Sequence, residues 1–89
     1  MNKDYSNRYF RTSNLYAAAF LFAKGLALVN IDKLTSTKSQ FVFEDTPERE
    51  YLLQQYNFAP ENSLDCSVDV RKFIFALKTL KERLYQQEI

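Results

Sequence analysis

The stretch "NRYFRTSNLYAAAFLFAKGLALVNIDKL" (Asn7 to Leu34) changes its hydrophobic period twice. "NRYFRT" alternates basic and aromatic residues, the two-residue period of a short first strand. Thr12 or Ser13 is then placed to cap a helix from about Asn14 to Lys24, closed by Gly25, the only glycine in the chain. Along this helix Leu15, Ala18, Ala19 and Phe22 make one stripe at three- and four-residue spacing. Ala17, Phe20 and Leu21 lie opposite, so the helix has no polar face. Both sides are covered within the monomer, or one side meets a partner. "LALVNIDKL" (Leu26 to Leu34) returns to period two as a second strand, with Val29 and Ile31 expected on its core face.

The order continues outward from this strand–helix–strand unit. "TSTKS" (Thr35 to Ser39) lacks a hairpin glycine and predicts a turn longer than two residues. "QFVFE" (Gln40 to Glu44) reads as a third strand, with Phe41 and Phe43 joining Val29 and Ile31 in the core. "EDTPERE" opens a second helix. Thr46 or Asp45 caps it, Pro47 sits where its missing N–H costs nothing, and Glu48 and Glu50 favour the positive end of the dipole. Leu52, Leu53 and Tyr56 form its buried side. After a loop over Phe58 to Ser67, Asp69 caps a final helix, with Val68 and Phe73 at the spacing of a hydrophobic staple. On that helix Val70, Phe73, Leu77, Leu80 and Leu84 are the expected core stripe, with Lys72, Ala76 and Arg83 on one flank. The fold class is therefore α+β, a small three-stranded sheet with three helices in the order β-α-β-β-α-α, forming one domain over residues 1–89.

Composition supports a packed core. The 89 residues are 46% hydrophobic and 16% aromatic, and at this length nearly every apolar group is needed for burial. Net charge is +1, which gives no global field for nucleic acid or membrane. The distribution is uneven: residues 1–43 carry six basic and two acidic side chains (+4), 44–69 one and seven (−6), and 70–89 five and two (+3). The single Cys66 allows no disulfide within the chain and fits a reducing compartment. "LYAAAFLFA" loosely resembles a leader sequence, but Lys24 interrupts it, and nine apolar residues are half a membrane span. A cytoplasmic location, away from membranes, is expected.

The chemistry-bearing residues are few. Without histidine, a serine or cysteine nucleophile lacks its usual base, and one glycine cannot build a phosphate-binding loop. Cys66 reads as a small packing residue. The acids Glu44, Asp45, Glu48 and Glu50 are each explained by a strand end, a cap or a first helical turn rather than by a hard cation. No enzyme activity, cofactor or metal is expected. Binding remains, and the last helix is where it is legible. Phe75 falls where a monomeric helix should present polar groups, and with Ala17, Phe20 and Leu21 it suggests a self-association or protein-partner surface. The alternative is nucleic acid, held by Arg71, Lys78, Lys81 and Tyr85, with Arg8, Tyr9 and Arg11 adding a basic stacking platform if both groups share one face.

The segments "YFRTSNLYAAAFLFAKGLALVNID", "FVFEDTPE" and "VDVRKFIFALKTLKERLY" together resemble a small, uncharacterised family, a domain of unknown function of bacterial and phage-borne proteins. The resemblance covers most of the chain. It implies no activity, and points to a mobile-element or DNA-associated setting.

Overall fold

A computed structural model describes residues 9–59 and 67–87, so Arg8 and Cys66 lie outside the described residues. The element order is β1 (Tyr9–Thr12), α1 (Leu15–Ala23), β2 (Leu28–Lys33), β3 (Ser39–Glu44), α2 (Pro47–Phe58) and α3 (Val70–Gln87). This is the expected β-α-β-β-α-α order of an α+β domain. The sheet order is β1-β3-β2, and both pairings are antiparallel. The last strand thus enters between the first two and separates them. Phe43 stands opposite Phe10 on one side and Leu28 on the other, while Phe41 faces Thr12 and Ile31.

The helices cover one face of this sheet. α1 packs against both α2 and α3, and so occupies the middle of the helical layer. That position accounts for a helix without a polar face. Ala17, Ala18, Ala19, Phe20 and Leu21 are all buried, and the three alanines let neighbouring helices approach closely. The side carrying Ala17, Phe20 and Leu21 is therefore covered within the chain, while Phe22 and Ala23 near the C-terminal end are only partly buried. Its N-cap is Asn14, not Thr12 or Ser13. The Asn14 Oδ1 accepts from the N–H groups of Tyr16 and Ala17, and Thr12 instead accepts from the Asn14 N–H. At the other end Gly25 has φ +105°, Leu26 N–H donates to the Leu21 carbonyl and Gly25 N–H to that of Phe22. This pair of bonds is the Schellman arrangement, and its left-handed residue is why the lone glycine sits there.

Two core assignments differ from the periodic expectation. The β2–β3 register slips between Leu28 and Asn30, so Val29 is an extra residue in a bulge. Val29 is 51% exposed, and Leu28 takes the inward place beside Ile31. On α3 the stripe is rotated: Val70 is 67% exposed, whereas Ala76 and Leu80 are buried and Phe73, Leu77 and Leu84 pack partly against the core. A small residue at position 76 lets α3 lie close to α1, which turns the helix toward the flank that the hydrophobic pattern undervalues.

The acidic segment is used locally. Thr46 caps α2 through the Arg49 N–H, while Asp45 binds the Arg49 side chain with two bonds, Nε to Oδ1 at 2.8 Å and Nη2 to Oδ2 at 3.1 Å. The same guanidinium lies 4.3 Å from the centroid of the Phe10 ring and so ties α2 to β1. The Asp45 hydrogen bond raises the Arg49 pKa, against a smaller opposing effect of burial. A raised folded-state value means that deprotonation of Arg49 removes this contribution in strong alkali, not near neutral pH. Arg49→Met is expected to destabilise the domain by about 1 kcal/mol, because the pair remains in contact with water. Urea denaturation near neutral pH measures it; no change would mean that the clamp contributes nothing.

Candidate partner-binding face

The outer face of α3 follows from how its inner face is fixed. Asp69 Oδ2 accepts from the N–H groups of both Arg71 and Lys72, which sets the start of the helix. Phe73, Ala76, Leu77, Leu80 and Leu84 then face α1 and the sheet. At 100° per residue the remaining positions must point away, and they do. Val70, Ile74, Phe75 and Tyr85 are exposed, as are Arg71, Lys72, Lys78, Lys81 and Arg83. Arg71, Lys72 and Phe75 lie toward α1, and Val70, Ile74, Lys78, Lys81 and Tyr85 lie on the other flank.

At the N-terminal half of this surface lies a groove of about 340 Å³ between α1 and α3. Phe22 and Ala23 line it from α1, and Phe75, Ala76, Arg71 and Lys72 from α3. Ala23 and Ala76 are small enough to leave the depression, and the rings of Phe22 and Phe75 flank it. Phe75 is 66% exposed. The charged rim is unusual for a helix start. Arg71 and Lys72 sit at the positive end of the α3 dipole, and no acidic residue occupies its first turn. Cations at that end oppose the macrodipole by about 0.3–1 kcal/mol each when exposed. Helix stability therefore does not explain them.

The proposed partner surface of Phe75 with Ala17, Phe20 and Leu21 needs correction. Only Phe75 is at the surface; the other three are core. Phe20 instead packs against Tyr56, their ring centroids 5.2 Å apart. The residues that do accompany Phe75 are Phe22 and Ala23, which the sequence pattern assigns to the core or leaves unremarked. In an apolar helix, periodicity cannot say which side stops short of full cover.

The basic residues of the nucleic-acid alternative separate into two groups. Arg71, Lys78, Lys81 and Tyr85 are all exposed on α3. Tyr9 and Arg11 instead alternate with the core-facing Phe10, and so project from the sheet face opposite the helices. There Arg11 Nη1 donates to Asp32 Oδ2 at 2.6 Å, across the central strand, and Asn30 Nδ2 donates to Asp32 Oδ1 at 2.7 Å. Tyr9 faces Glu44. The strand residues therefore do not extend the α3 ladder, and the Arg11 charge is already paired.

Among the described residues, no three His, Cys, Asp or Glu side chains gather as metal ligands, and no helix is long and apolar enough to cross a membrane. Residues 7–86 match the model of a family described as Domain of unknown function (DUF5659). No curated protein and no solved structure matches the chain.

Proposed function

The chain belongs to the DUF5659 family, a domain of unknown function, and we propose that it is a non-catalytic accessory domain acting by protein–protein interaction or self-association through the outer face of α3. The observation that carries this reading is Phe75, two-thirds exposed at the lip of an apolar groove with Phe22 and Ala23. An exposed aromatic beside a concave apolar surface is what an interface core requires. A cytoplasmic setting in bacterial or phage-borne proteins belongs to the same proposal. The alternative is nucleic-acid binding through Arg71, Lys78, Lys81 and Tyr85, all exposed on α3.

Photo-crosslinking tests the reading. A benzophenone amino acid placed at position 75, in cells of the source organism, is expected to give a discrete adduct that re-forms from the purified components. The same probe at the exposed hairpin residue Lys38 is the control. An adduct of two copies supports self-association, and one with a second protein supports a heteromeric contact. No adduct above the Lys38 control overturns the proposal.

A further inference from the structure

We infer that the occupant of this face is an acidic amphipathic helix of another protein, seated with its apolar ridge in the Phe22–Phe75 groove and its carboxylates on Arg71 and Lys72 at the rim. This inference deepens the partner-binding reading above and rests on it.

Three observations converge. The first is the charge of the helix itself. Within Val70–Gln87 the charged residues are Arg71, Lys72, Lys78, Lys81 and Arg83 against Glu82, five minus one, a local net of +4. The second is that, among the described residues, none of these cations has an acidic partner of the kind that Arg11 and Arg49 each have. Arg71 and Lys72 stand at a helix end that disfavours them. The third is that Arg71 and Lys72 stand beside the exposed Phe75 at the groove, so charge and apolar surface meet at one place.

Each competing occupant leaves one of these features unexplained. A phosphate backbone uses the cations but has no use for exposed aliphatic side chains or for an apolar groove. A neutral apolar helix uses the groove but not the cations. A second α3 from another copy would set two helices of net +4 against each other, and like charges across an interface cost affinity. A helix bearing apolar residues at three- and four-residue spacing with glutamates or aspartates on its flanks satisfies both features together.

The test uses the full chain and three labelled probes. The first is a designed peptide about as long as α3, with leucines at helical spacing and glutamates between them. The second replaces every glutamate by glutamine, and the third is a DNA oligonucleotide, single- and double-stranded. The acidic peptide is expected to bind about tenfold or more tightly than its glutamine analogue at low salt, with NMR shifts confined to α3 and the Phe22–Ala23 end of α1. Raising salt should narrow that gap. Phe75→Ser, and separately Arg71→Glu with Lys72→Glu, should each lose about tenfold, both with an unchanged circular dichroism spectrum because all three side chains are exposed.

Equal binding of the two peptides overturns the acidic requirement while leaving the partner reading intact. Tighter binding of DNA than of the acidic peptide, lost with Lys78→Glu and Lys81→Glu and not with Phe75→Ser, overturns it in favour of nucleic acid. Salt-sensitive self-association that competes with the peptide overturns it in favour of a second copy, whose α2 presents Glu48 and Glu50. No peptide binding, alongside a position-75 adduct in cells, overturns the inference alone. No adduct at position 75 removes the partner reading as well.

Discussion

Phe43→Ala is expected to destabilise the domain by about 3–5 kcal/mol, a large fraction of the roughly 5–10 kcal/mol that holds a domain of this size. Phe43 is completely buried on the central strand, with Phe10 and Leu28 as its opposite neighbours. Two features prevent the site from collapsing after truncation. The backbone of β3 is held by ladders on both sides, so it cannot move toward the helices without breaking one of them. The core it shares includes Ala18 and Ala19 of α1, which have no side-chain length with which to fill a void. The cost should therefore lie near the upper end of the range for a phenylalanine. Urea denaturation followed by circular dichroism measures it, and for a domain this small each kcal/mol moves the thermal midpoint by about 4–8 °C. A loss under about 1 kcal/mol would mean that β3 is not the central strand.

What was legible in the sequence, and what was not, follows from which signals are local. The caps at Thr46 and Asp69, the glycine stop at Gly25 and Pro47 at the start of α2 depend on a few neighbouring atoms, and these gave the element order. Strand order is a property of the assembled sheet. Nothing in "QFVFE" states that it inserts between the other two strands, although its two buried phenylalanines fit that central place. The bulge at Val29 was hidden because alternation in "LALVNIDKL" continues unbroken through it. Ala76 was undervalued for a related reason. A hydrophobic pattern weights side chains by size, whereas close helix contact selects for small ones. The candidate site was half visible: Phe75 stood out as an apolar residue on a polar flank, but its companions belonged to a helix whose every side is apolar. Only packing reveals that Phe22 and Ala23 reach the surface while Phe20 and Leu21 do not.

Leu80→Ala and Phe75→Ala should separate the two faces of α3 by both stability and binding. Leu80 is fully buried against the α1 side, so its truncation is expected to cost about 2–5 kcal/mol. Five residues earlier on the same helix, Phe75 points outward, and its replacement is expected to change stability by no more than about 0.5 kcal/mol. The sign of that small change carries information. Alanine has the higher helix propensity, by several tenths of a kcal/mol, and an exposed ring contributes little packing in return. Phe75→Ala should therefore be neutral or slightly stabilising while it weakens the position-75 contact and acidic-peptide binding about tenfold. A residue that costs the free monomer and strengthens its complex is a local conflict of the kind expected at functional surfaces. The alternative is that Phe75 belongs to the core in solution. In that case Phe75→Ala would lower the urea midpoint alongside Leu80→Ala, and the groove would be part of the folded interior. Measuring both variants by denaturation and by peptide titration distinguishes these outcomes, because only a true interface residue moves the second without moving the first.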